Sequence, residues 1–161
     1  MSAPRSLDHF LGVSYFVHPL PLLTVGVLWL NDHWLKRAHP SWLTGKLSDF
    51  AGLFFFPLFL CALVNLARNL THRGPPFHWL GPRLLIVAIV FTDGLFSAVK
   101  LYPPATAFYL TSLGTLGFSG ARVVRDPSDL LALTSSLAVY AFARPFWREA
   151  APARLPPSTA G

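Results

Sequence analysis

Leu47-Ser48-Asp49-Phe50-Ala51-Gly52-Leu53-Phe54-Phe55-Phe56-Pro57-Leu58-Phe59-Leu60-Cys61-Ala62-Leu63-Val64-Asn65-Leu66-Ala67 is the stretch whose reading decides the fold. Its one charge, Asp49, stands at the front, and everything behind it is apolar or small save Asn65. About 20 predominantly apolar residues let an α-helix cross roughly 30 Å of hydrocarbon. The stretch therefore reads as a transmembrane helix, with Pro57 as a kink that neighbouring helices must accommodate.

Working outward, similar runs flank it. Phe10 to Leu30 is uncharged apart from His18, with Pro19 and Pro21 in its front half. Proline is tolerated in a first helical turn, so the firm helix is expected from about Pro19 to Lys36. Trp29 and Trp34 near its end suit a membrane interface. Leu84 to Tyr102 carries Asp93 and Lys100, and Pro103-Pro104 closes it. Leu130 to Ala143 is preceded by Arg125-Asp126-Pro127-Ser128-Asp129, which places an N-cap at Asp126 and proline at N1. Between the last two lies Ala105 to Ala121, uncharged but diluted by Thr, Ser and Gly. The expected fold class is thus all-α: a polytopic transmembrane helical bundle with four firm spans plus a fifth short, re-entrant or interfacial helix. Residues 1–147 form a single transmembrane domain in this reading, and the Ala- and Pro-rich tail, 148–161, is expected to be disordered.

Composition agrees. The 161 residues are 53% hydrophobic and 12% charged, against about 25% charged in soluble domains. The net charge of +6 comes from Arg and Lys in short links, as membrane topology requires, and no basic stripe with interleaved aromatics speaks for nucleic acid. Arg5 alone precedes the first run and no small-x-small cleavage site follows it, so the first span is read as uncleaved. Cys61 is the single cysteine; it excludes an intramolecular disulfide and Cys-based zinc sites and reads as a small hydrophobe. No metal or cofactor is implied. In a four-span arrangement Arg5, Arg68, Arg73, Arg83, Arg144, Arg148 and Arg154 collect on one side, and Lys36, Arg37, Lys46, Lys100, Arg122 and Arg125 on the other. That balance leans only slightly toward both termini being cytoplasmic.

The charged residues at the edges of the runs are the functional candidates, because an ionisable group at bilayer depth is costly unless compensated or used. With four spans, Asp32, Lys36, Lys46, Asp49, Lys100, Arg125, Asp126 and Asp129 meet at one membrane face. Asp93 lies about 10 Å deeper on the Lys100 side of its helix, two turns away, and Lys100 is the partner expected for it. If the Ala105 to Ala121 element crosses instead, Asp126 and Asp129 move to the opposite face. Plainer roles compete for several: Asp32 and Lys36 form an i, i+4 pair, Ser48 and Asp49 suit a helix cap, and Asp126 and Asp129 suit another. Gly114, Gly117 and Gly120 make a small-residue stripe that suits close helix approach to a partner. Other motifs fail. Thr44-Gly45-Lys46 lacks the glycine and hydroxyl residue of a phosphate-binding loop, having Pro40 and Leu47 there. Gly117-Phe118-Ser119-Gly120-Ala121 lacks the last glycine of a nucleophile elbow. No histidine pair has zinc-protease spacing.

The same residues carry a family resemblance. Gly45-Lys46-Leu47-Ser48-Asp49-Phe50, followed by the Phe-rich helix, resembles the DKxxHF segment that opens a helix in VanZ-like membrane proteins. Lys46 and Phe50 match, while Asp49 stands for the family's His and Gly45 for its Asp. Ser97-x-x-Lys100-x-Tyr102-x-Pro104 has the spacing of the ExxQxF segment with both polar residues changed. Arg125 with Asp129-Leu130-Leu131-Ala132 resembles the closing R…DLLAN element, with Leu133 for Asn. The order spans residues 45–145, with Ala105 to Ala121 as an insertion. LTGKLSDFAGL and VRDPSDLLAL also resemble phrases of uncharacterised small bacterial membrane proteins. The resemblance implies a bacterial inner-membrane protein of a family linked to low-level glycopeptide resistance.

Three readings of function follow. In the first, a polar pocket at one face binds an envelope lipid or cell-wall-related ligand. There Lys46, Lys100 and Arg125 meet phosphate, and Asp32, Asp49, Asp93 and Asp129 orient amines or hydroxyls. In the second, Asp93 and Lys100 line an ion or proton path. In the third, the chain is an accessory subunit of a membrane complex, docked through its glycines.

Overall fold

The computed structural model describes residues 15–39, 41–71, 80–117 and 122–149. All regular structure among them is helical. The first helix, α1 (Pro19–Leu30), starts where the proline pair allows: the His18 side chain accepts from the Leu20 N–H at 3.3 Å and Pro19 takes N1. It passes into a π turn, Asn31–Leu35, and a last turn, Lys36–Ala38. The expected helix from Pro19 is present, but the π turn divides it, so α1 alone is 12 residues long.

The second helix, α2 (Trp42–Thr71), has 30 residues and continues through Pro57. It starts five residues before the apolar run. Ser41 and Thr44 explain why: the Ser41 Oγ accepts from the Thr44 N–H at 3.2 Å, and the Thr44 Oγ1 accepts from the Ser41 N–H at 2.9 Å. This reciprocal pair is a capping box with threonine in the place of the usual Glu or Gln. Ser48 and Asp49 therefore lie within the helix body and do not cap it. The buried residues Phe54, Pro57, Leu58, Cys61, Ala62 and Asn65 follow helical spacing and make α2 the central element.

The third helix, α3 (Pro82–Leu101), packs on α2, and the short α4 (Pro103–Thr115) follows a break at Tyr102. The Thr106 hydroxyl donates to the Val99 carbonyl at 2.6 Å, satisfying an acceptor that the end of α3 leaves without an intrahelical donor. At 13 residues, α4 is about 20 Å long, short of the roughly 30 Å hydrocarbon core. Gly117 lies beyond its end with φ 93°, so it serves to stop the helix, a role glycine fills without strain. Gly114 and Gly117 therefore do not share a helix face, and Gly120 lies outside the described residues. The expected small-residue stripe is corrected accordingly.

A 3₁₀ segment, Pro127–Thr134, leads into α5 (Ser135–Glu149). Asp126 caps the segment as expected, its carboxylate accepting from the Ser128 N–H at 2.9 Å. The core joins Phe54, Leu58, Cys61 and Ala62 of α2, Leu85 and Ala88 of α3, and Val139 and Ala143 of α5, with Tyr15 and Leu80 beside them. Outward faces stay apolar: Leu23, Val87, Val90, Phe91 and Leu137 are all exposed. Among the described residues, three helical stretches are long and apolar enough to cross a membrane, namely Trp42–Thr71, Pro82–Leu101 and Pro127–Trp147. The tail from residue 150 on lies outside the described residues.

Candidate functional site

Lys46 is the least expected resident of a helix in this chain: its side chain is 3% exposed. The capping box places it and Asp49 on one face in the second turn of α2, three residues apart. Opposite stands the 3₁₀ segment. With three residues per turn, side chains at i and i+3 eclipse, and Asp129, Ala132 and Ser135 form a buried row. The Ser135 hydroxyl donates to the Phe50 carbonyl of α2 at 3.1 Å, which ties the row to that helix. Lys100 arrives from the last turn of α3.

These elements meet on Asp129. One carboxylate oxygen bonds Lys46 and the other accepts from Lys100 at 2.6 Å, so a single carboxylate bridges two helices. Lys46 also donates to Ser128 at 2.7 Å and reaches Asp126 at 3.4 Å. Lys100 also bonds Asp49 at 3.0 Å and the Val124 carbonyl at 3.4 Å. An ammonium has three donors, and each lysine has three acceptors. Rings flank both cations, Trp42 at 5.0 Å from Lys46 and Phe96 at 5.4 Å from Lys100. Hydrogen bonds from Ser128, aided by Lys46, hold the half-exposed Asp126 carboxyl below the usual carboxylate range.

A second, more open chain of contacts adjoins it. Asn31, 1% exposed at the π turn, donates to the Thr44 carbonyl at 2.7 Å and to Ser48 at 2.8 Å. Ser48 donates to Asp32 at 2.7 Å, and Asp32 pairs with Lys36 at 2.6 Å. Asp32 and Ser48 thereby join the end of the first helical run to α2, one residue from Asp49.

The expected convergence at one end of the bundle is therefore present for Asp32, Lys36, Lys46, Asp49, Lys100, Asp126 and Asp129. Two expectations need correction. Asp93 does not pair with Lys100; it turns to α5, where the Ser136 hydroxyl lies 2.9 and 2.8 Å from its two oxygens. Lys100 is drawn to Asp49 and Asp129 because a carboxylate on a facing helix is nearer than one two turns down its own. Arg125 is exposed and stands outside the ion-pair network of the described residues. Nor do the lysines stand open for phosphate, since carboxylates, a hydroxyl and a carbonyl occupy their donors. Asn31, Ser128 and Ser136 were not read from the sequence as partners; only the position of Asn31, a polar residue straight after an apolar run, hints at a buried contact. No group of metal-ligating side chains occurs among the described residues.

The comparisons add no relative: no protein-family model matches the chain, and neither a curated protein nor a solved structure matches it significantly.

Proposed function

We propose that this chain is a bacterial inner-membrane protein of four spans that binds the polar headgroup of an envelope lipid or a cell-wall-related ligand at the face carrying the ion cluster. The observation that carries the reading is the meeting of Lys46, Lys100 and Asp129, from three separate elements, at one end of an otherwise apolar bundle. Lone ionic groups at such depth are costly, and their concentration at one end favours a role. The run from Pro19 through the π turn to Ala38 supplies the fourth crossing. The three segments that resemble VanZ-like proteins are the ones that bring Lys46, Lys100 and Asp129 into contact, which supports that kinship.

Exposed Arg122 and Arg125, with Lys36 and Arg37, ring this end. They supply cations for a phosphate, while the lysines inside are already paired. Asp49 is partly open and bonds Lys100 through one oxygen; its other oxygen is the acceptor for a ligand hydroxyl or amine. Mass spectrometry of lipids retained by the protein in mild detergent tests this. The reading expects one headgroup class to be enriched and lost from Asp49→Asn and Arg125→Gln. An unchanged lipid complement in both variants counts against it.

A second reading, a proton or ion path, draws on Asp93, half-buried in mid-span with the Ser136 hydroxyl as its described partner. Proteoliposomes loaded with a pH-sensitive dye separate the two: this reading expects proton flux that Asp93→Asn abolishes.

A further inference from the structure

The eight residues Pro127–Thr134 are wound as a 3₁₀ helix, although such runs rarely exceed three or four residues. Their sequence, Pro-Ser-Asp-Leu-Leu-Ala-Leu-Thr, gives no local reason. Leucine and alanine are among the best α-formers, and proline at the first position suits an α-helix as well. The cause lies in the contacts. At its start the segment is held by Lys46 and Lys100, both gripping Asp129, and by Lys46 on Ser128. At its end Ser135 is fastened to the Phe50 carbonyl of α2. Tighter winding keeps Asp129 and Ser135 on one line between those two anchors.

We propose that Pro127–Thr134 is a two-state segment, held in the 3₁₀ form by the lysine grip on Asp129 and rewinding to α-helix when the grip is released. The winding difference, about 20° and 0.5 Å per residue, fixes the movement. Asp129 lies six residues before the Ser135 anchor. Rewinding turns it by about 120° and draws it roughly 3 Å toward α5, off the face that meets the lysines. The segment itself shortens by about 4 Å. Lys46 and Lys100 are then left without Asp129, and this is the form that admits a phosphoryl group between them. That last consequence rests on the headgroup reading; the rewinding does not.

Spin labels at Val124→Cys and Leu137→Cys, both exposed positions flanking the segment, in a Cys61→Ser background, measure it by pulsed electron resonance in nanodiscs without any ligand. Releasing the grip by Asp129→Asn is expected to shorten the separation by about 4 Å. Should that variant fail to fold, Asp129→Leu combined with Lys46→Met and Lys100→Met removes the grip without stranding a charge, and the same shortening is expected. A separation equal to the parent's, or a longer or broadened one, overturns the proposal. A parent protein that retains no headgroup class selectively, with the shortening intact in the variants, would fail the headgroup reading alone.

Discussion

Asp129 holds two lysines from two helices, so its removal should be the costliest single change at this end of the molecule. Breaking a buried pair by deleting one partner typically costs about 3–5 kcal/mol, because the other charge is left uncompensated. We expect Asp129→Asn to lower thermal stability in detergent by that order, and Asp129→Leu with Lys46→Met and Lys100→Met to recover most of it. Asp93 should behave differently. Asparagine keeps an acceptor for Ser136, so Asp93→Asn should change stability by less than about 1 kcal/mol, the worth of one such bond; thermal melts of the two variants side by side check the contrast. Asp126 gives a pH signature. Its carboxyl is lowered in the folded protein by Ser128 and Lys46, so its contribution is present above the unfolded carboxylate range, near 4. It is lost as pH falls through the lowered folded value. The melting-point gap between wild type and Asp126→Asn should be constant near neutral pH and close in acid.

At the scale of elements, the departures from regular α-helix are where the site is made. The π turn seats Asn31 against the first turns of α2, and π turns within helices are frequent at functional places. Asn31→Leu strands the bonds to Thr44 and Ser48 and should cost about 1–3 kcal/mol, read as a melting shift. The apolar runs announced where helices lie, because length and hydropathy are properties of the runs themselves. The Asp126 cap and the start at Pro19 were also legible, being local chemistry. The beginning of α2 was not, since Ser41-x-x-Thr44 is a weaker signal than a box ending in Glu. The 3₁₀ and π windings were out of reach because nothing in the local residues signals them, and the partners of Asn31 and Asp129 lie far off in sequence. The same limit explains Asp93: spacing along α3 offered Lys100, and only the approach of α5 could offer Ser136.

The molecule as a whole is a helical bundle whose outward sides are apolar and which gathers Lys46, Lys100, Asp49, Asp126 and Asp129 into mutual ion pairs at one end. Long sequence separations close there, Lys46 to Asp129 and Lys100 to Asp49, which is why single-run reasoning could place the charges at a face but not pair them. The short α4 bears on that face, because a crossing there would be incompatible with the contact of Asp129 with Lys46 and Lys100. The most direct measurement is the sidedness of two exposed positions, Leu43 at the start of α2 and Val124 before the 3₁₀ segment. Each is replaced by cysteine in a Cys61→Ser background and probed with a membrane-impermeant maleimide on intact cells and on inverted vesicles. The account predicts that both react from the same side and are protected from the other. Labelling of the two from opposite sides would contradict it.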